Sequence, residues 1–439
     1  MGRSVFGWVC VLALVALPVG GCGDETTATG GSGGSGDTGG DGGTGGMGGG
    51  GAGGDAGHGG TGGSDLCEGV TCEDDGIECT GDGVCDPATG TCDYAPVEDG
   101  TACDFGGLPG FCEVGICTPR CVANVCQCSE AGVQAAIAEG GGPFTFDCDR
   151  PTTVQGFFVI SRDVILDGEG RLTLDPSPFL FVGATVELTG FVLTGGSTSS
   201  PIVNGGTLTI ANSIVTEARG LNAISNDGVL NLVDTTVLGN RVGLSNTGMA
   251  VVRNSTISGN TGDGISTYVG GGLPSPTVTI VNSTISGNGG NGIWACGATR
   301  TTPAITMLNS TVSGNAENAI LLETQSCFGL FDISNSIIDG DCMIEELTAT
   351  SSHNIESPGD TCGFDPDGTD QVNITKEQLN LGELADNGGP TMTHALLPGS
   401  VAIDVIPADM CEVDEDQRGV ERPQGDACDV GAVEMEVQP

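Results

Sequence analysis

The sequence predicts an all-β protein whose main body is a right-handed parallel β-helix, a solenoid opened by a short capping helix and preceded by a small disulfide-rich module. Three observations carry this expectation. A β-branched motif returns along the chain, its copies are spaced by about one solenoid coil, and neither helical nor leucine-rich spacing accompanies it. The motif is clearest as RNSTISGN from Arg253, VNSTISGN from Val281, LNSTVSGN from Leu308 and SNSIIDGD from Ser334. Weaker copies start at Thr189, Ala211 and Val233, and LDGEGRLTL keeps the same register from Leu166.

The position held by Asn in the clear copies falls at Gly168, Gly190, Asn212, Asp234, Asn254, Asn282, Asn309 and Asn335, in steps of 22, 22, 22, 20, 28, 27 and 26 residues. Units of this length cannot bury an apolar face alone and must stack on their neighbours. Identical Asn side chains stacked at the ~4.8 Å strand spacing can bond along the axis, so these residues are expected to form a buried amide ladder. The N-S-T triplets also match a glycosylation acceptor, a reading that burial would exclude.

The chain before the repeat divides by composition. Arg3, an apolar run from Val9 to Leu17 and the small residues before Cys22 read as a signal peptide over residues 1–21. The sequence V-G-G-C at Val19–Cys22 resembles a bacterial lipobox, which implies acylation of Cys22 and a membrane partner through that lipid; ordinary cleavage at the same small residues is the alternative. Residues 22–64 are glycine-rich without apolar periodicity and read as a flexible tether with a reach of roughly 35 Å.

Residues 65–128 hold eleven cysteines, turn dipeptides and too few apolar residues for a core, so disulfides must stabilise them. Their pairing up to Cys126 is not legible. DGIECTGDGVCDPATGTCDYAPVEDGTAC resembles cysteine-rich repeats of surface proteins from myxobacteria and their relatives, which implies a spacer without chemistry of its own. From Ser129, SEAGVQAAIAEGGG has an N-cap serine, a Val/Ala/Ile stripe and glycine terminators, the marks of a capping helix, with Phe144–Cys148 as the first strand. The β-helix is expected over 129–342 and a C-terminal cap over 343–439.

LADNGGPTMTHALLPGSVAID (Leu384–Asp404) and DQRGVERPQGDACDVGAVE (Asp416–Glu434) resemble β-helix surface proteins that carry a choice-of-anchor Q domain. That resemblance covers about 129–439 and implies export and attachment at the outer membrane or cell surface, without implying a reaction.

Composition limits the function. With 57 acidic and 12 basic residues the net charge is −45, which repels nucleic acid and polyanions unless a cation bridges them. Twenty cysteines without zinc-ribbon spacing indicate an oxidising compartment. Expected bridges are Cys128–Cys148, Cys296–Cys327, Cys342–Cys362 and Cys411–Cys428, and the remaining 18 cysteines after loss of Cys10 and Cys22 can all pair. The N-x-D, D-D, G-H-G and R-x-K set of pectin-type hydrolases is not found in the repeat. Arg219 and Arg241, expected on one face near Glu217 and Asp234, are the nearest approach to a lyase site.

No catalytic residue is assigned, and three functions compete: a non-catalytic module for adhesion, carbohydrate or surface-protein binding, or envelope structure; a polysaccharide lyase or hydrolase; and a calcium-dependent spacer. No cofactor is required, but Asp365, Asp367 and Asp370 form a carboxylate set that could take Ca²⁺. The ligand candidates are Tyr268, Trp294 and Arg300. They lie where the three longest coils carry extra residues, Tyr268–Thr277, Trp294–Ala304 and Glu323–Gly329, and insertions at one register project from one edge. Ile265, Ile293 and Ile320 should point inward and Trp294 outward, or else Trp294 packs beneath its own loop.

Overall fold

The computed structural model describes residues 66–104, 109–196, 200–218, 220–269, 275–297, 303–322, 330–344 and 351–436. Cys22, Arg300, Cys327 and Arg219 lie outside them. The described residues all belong to one compact unit, Ser64–Pro439.

The repeat winds into a right-handed parallel β-solenoid of about nine turns. Each turn contributes three strands, so three parallel sheets run along the axis. Sheet A stacks Thr207–Ala211, Val229–Val233, Met249–Arg253, Thr277–Val281, Ala304–Leu308 and Leu330–Ser334. Sheet B follows the A–B corner and stacks the short strands Thr256–Ser258, Thr284–Ser286, Thr311–Ser313 and Ile337–Asp339. Sheet C stacks Ile202–Asn204, Ile224–Asn226, Leu244–Asn246, Ile265–Tyr268, Ile293–Cys296 and Ile320–Leu322. Thr189, Ala211, Val233, Arg253, Val281, Leu308 and Ser334 are successive partners. The repeat spacing read from the sequence is therefore the strand register. Alternate residues such as Leu208, Ile210, Leu230 and Leu232 point into one continuous core, as a period of two requires.

The recurring Asn has a different task from the one expected. Asn212, Asp234, Asn254, Asn282, Asn309 and Asn335 form the A–B corner with φ between +46° and +54°. Asn and Asp tolerate this left-handed conformation better than other side chains. Among the described residues, one amide contact occurs at this register, Asn335 Nδ2 to Asn309 Oδ1 at 3.4 Å.

The amide ladders stand elsewhere. Asn204, Asn226 and Asn246 point inward from sheet C and bond in series at 2.7 Å. The last residue of the S-G-N triplets does the same, since Asn260 bonds Asn288 and Asn288 bonds Asn315, each at 2.9 Å. Gly264 makes room: a Cβ there would stand 2.8 Å from Asn288 Nδ2. The Ser of N-S-T forms a third column, in which the amides of Thr235, Ser255, Ser283 and Ser310 donate to the hydroxyls of Ser255, Ser283, Ser310 and Ser336.

Helix α1 (Glu130–Glu139) closes the N-terminal end. Ser129 caps it by accepting the Gly132 amide, and Val133, Ala136 and Ile137 enter the core. Gly132 is required because a Cβ there would lie 2.0 Å from the Gln127 carbonyl oxygen. Sheet pairing begins one strand earlier than expected, where Val125–Gln127 pairs with Gly141–Asp147. The bridge Cys128–Cys148 spans the helix.

In the module before it, the pairs are Cys67–Cys85, Cys72–Cys92, Cys79–Cys112, Cys103–Cys117 and Cys121–Cys126. Every described cysteine is disulfide-bonded, Cys296 included.

The region from 343 onward does two jobs where one cap was expected. Residues 351–372 close the solenoid: Phe364 and the Cys342–Cys362 bridge join the main core. Glu356, fully buried, accepts the amides of Thr361 and Cys362. Residues 376–435 instead lie along the outer face of sheet B, where a second apolar core holds Ile337, Leu379, Leu396, Ile406 and Val430. Cys411–Cys428 links two segments of this layer.

Candidate functional site

The C-terminal layer decides which faces remain open. Thr256, Thr284 and Thr311 point outward from sheet B yet are buried beneath it. Gln417 donates to Thr256 Oγ1 at 2.9 Å and accepts from the Thr284 hydroxyl at 2.6 Å. His394 meets Ser286 at 2.8 Å. The layer is itself held by buried ions: Arg422 pairs with Glu434 at 3.0 Å, and Arg418 with Asp416 at 2.8 Å. The residues of both long C-terminal motifs thus serve this packing.

Sheet C stays open. Trp294 sits between Ile293 and Ala295, both fully buried, so its ring is on the outer face. Ile265 and Ile320 are its inward-facing companions on the adjacent turns. Tyr268, one turn away and 39% exposed, places its ring centroid 6.3 Å from that of Trp294 at 52°. Leu321 and the exposed Met343 continue the outer column beyond Trp294.

The coil insertions fall together at the C–A corner. In short coils that corner is Gly205-Gly206, Asp227-Gly228 or Thr247-Gly248; the insertions of the three long coils lie largely outside the described residues. The short corners need glycine, because a Cβ at Gly206, Gly228 or Gly248 would come within 2.3 Å of the carbonyl on the neighbouring turn. The structure brings Tyr268 and Trp294 together near the ends of their strands. Cys296 follows on the same strand.

Of the aspartates named as possible calcium ligands, Asp370 and Asp365 have protein partners. Asp370 accepts the Asn354 amide at 2.8 Å and the Ser351 hydroxyl at 2.6 Å. It thereby ends the serine column, since Asn354 Oδ1 takes the Ser336 amide. Asp365 Oδ1 accepts the Asp367 amide in a tight turn. Among the described residues, the one trio of ligand atoms lying within 4.8 Å of one another belongs to Cys79, Cys103 and Cys117, all disulfide-bonded. The expected proximity of Arg241 to Asp234 is also corrected. Asp234 occupies the A–B corner and Arg241 the next one, with strand Thr236–Leu238 between them.

Sequence reasoning missed a second aromatic group. Phe157 and Phe179 pack edge to face at 5.2 Å at the start of sheet C, beside the outward Phe181. The runs GFFVI and PFLFV alternate inward and outward, but their register emerged only with the fold.

A polar groove of about 630 Å³ lies beside α1, lined by Arg120, Asn124, Glu139 and Arg162 among others. Glu139 is engaged with the Cys121 amide and Arg162 with the Ala138 carbonyl, so these charges hold the cap.

Residues 183–345 match the family described as right handed beta helix region. Among solved structures, the chain is similar to the pectate lyase Pel9A, with a TM-score of 0.41 and 12% identity over 69% of this chain and 90% of that one. It is also similar to the A-module of the mannuronan C-5 epimerase AlgE6 from Azotobacter vinelandii, with a TM-score of 0.29 and 13% identity over 56% and 87% of the two chains. No curated protein sequence matches it.

Proposed function

We propose that this chain is a non-catalytic surface module that binds extended carbohydrate on the outer face of sheet C and is held at the outer membrane by a lipid on Cys22. The observation that carries the reading is the pairing of Tyr268 with Trp294 on an outer sheet face that the C-terminal layer leaves open. Their rings offer flat apolar surface with polar tips, the pattern that stacks on sugar rings. Both rings stand on strands that end where the sequence carries its coil insertions, and insertions in solenoids commonly form a binding edge. Once the proposed signal peptide with Trp8 is removed, Trp294 is the only tryptophan, so its fluorescence then reports the site alone. Titration with arrayed plant and bacterial polysaccharides should shift or quench that emission for at least one neutral glycan. Trp294→Ala should abolish binding while thermal stability changes little. Loss of stability with binding retained would make Trp294 a packing residue and end the proposal. Release of reducing or unsaturated sugars by the bound protein would replace it with catalysis.

A further inference from the structure

Sheet C carries aromatic side chains at two places along one line. Its outward column runs Phe181, Val203, Ser225, Ser245, Ser266 and Trp294 by direct strand pairing. Five turns separate the two rings, and at ~4.8 Å per turn the distance is about 24 Å. The residues between them are small, so the column is a shallow track with a raised ring at each end. Phe157, 44% exposed, packs edge to face with Phe179 beside the first ring. Gly183 gives the Phe181 ring its place, since a Cβ on it would lie 3.1 Å from the ring.

We infer that Phe181 with Phe157 forms a second sugar platform, and that the two platforms hold one neutral, extended glycan chain lying parallel to the solenoid axis. This rests on the reading of Trp294 above. Three features of the track select the ligand. A pyranose unit in an extended chain advances by nearly one solenoid turn, ~4.8 Å, so consecutive sugars keep step with consecutive turns. The track offers the serine hydroxyls of Ser225 and Ser266, on either side of the buried Ser245, which bond sugar hydroxyls without charge. The column contains no Arg or Lys, and the chain carries −45 overall, so a uronic-acid polymer has no counter-charge here.

The test is calorimetric titration of the whole mature chain with neutral cello-, manno- and xylo-oligosaccharides, each as trimer and hexamer, with hexagalacturonate as the anionic counterpart. A hexamer reaches both platforms and a trimer reaches one. The hexamer of the recognised series should bind about tenfold tighter than its trimer. Phe181→Ser, which copies the small residues of the track, should remove that gain and leave the trimer affinity unchanged. Phe157→Ala, at an exposed ring, should reduce the same gain with the fold intact. Equal affinity for trimer and hexamer, equal loss for both in Phe181→Ser, or preference for hexagalacturonate would overturn the inference. Trimer binding that still perturbs Trp294 emission would then leave the single-platform reading standing, whereas absence of any glycan response would remove both.

Discussion

His394 and Ser286 meet at 2.8 Å across 108 residues of chain, and this contact fastens the C-terminal layer to the outer face of sheet B. Nδ1 of His394 lies 2.7 Å from the Gly382 carbonyl, which only accepts, so Nδ1 carries the proton and Nε2 accepts from the Ser286 hydroxyl. The contact therefore uses neutral imidazole. Burial above all holds this histidine below its ordinary pKa, against the pull of the Gly382 carbonyl and of Asp339 and Glu383. A lowered folded pKa gives stability that is present above the unfolded value of about 6.5 and lost as pH falls below it. His394→Gln should flatten the decline in melting temperature between pH 7.5 and pH 5.5. An unchanged decline would mean that other groups govern acid loosening.

Asp429 contributes with the opposite sign. Burial first, and then the charge of Glu434, push its carboxyl up to about 6, while the amides of Met435 and Asp404 and the Arg422 guanidinium oppose the rise. A raised folded pKa gives stability that is full below the unfolded value near 3.8 and lost as pH rises through about 6. Asp429→Asn should gain melting temperature relative to the parent as pH rises from 4 to 7. A pH-independent difference between the two would refute the assignment.

The Arg422–Glu434 pair is fully buried, and Glu434 also accepts the Asp429 and Gln424 amides. Removing one partner of a buried pair costs about 3–5 kcal/mol, because the other charge is left uncompensated. Glu434→Met should loosen the C-terminal layer first. Hydrogen exchange should rise across 376–435 and be nearly unchanged in the amide ladder over Asn204–Asn246. Global unfolding in one step would show that layer and solenoid are a single cooperative unit.

Two asparagines of the same repeat should respond differently to glycine. Asn254 occupies a corner at φ +50°, a conformation that glycine adopts freely, so Asn254→Gly should change stability by no more than about 0.5 kcal/mol. Asn288 is buried and bonds Asn260, Asn315 and the Ile257 carbonyl. Asn288→Gly strands those partners and should cost about 2–4 kcal/mol in denaturant unfolding. Similar losses for both would return the corner residues to a ladder role.

The proposed anchor is tested by extraction. Wild type should partition with membranes and dissolve only in detergent, and Cys22→Ala should appear in the soluble fraction. A soluble wild type would exclude the lipid.

Much of the solenoid was legible because its information is local and repeated. The register of sheet A follows from the motif spacing, and the inward face follows from alternation, so Ile265, Ile293 and Ile320 could be oriented from sequence. The insertions at the C–A corner were legible for the same reason. The task of the recurring asparagine was not. A stacked amide and a left-handed corner both favour Asn, and only backbone geometry separates Asn254 from Asn288.

Local pattern was enough for the parallel β-helix, its coil boundaries, the capping helix at Ser129 and the outward placement of Trp294, because a period-two pattern repeated over many turns admits one register. That sheet B is closed to a ligand emerged only in the folded chain. Thr256, Thr284 and Thr311 alternate like any exposed strand position, and nothing near them in sequence says that Gln417, His394 and Ala432 will cover them. Contacts between residues more than 100 positions apart leave no local periodicity, so the closing of sheet B and the openness of sheet C became visible only in the folded chain.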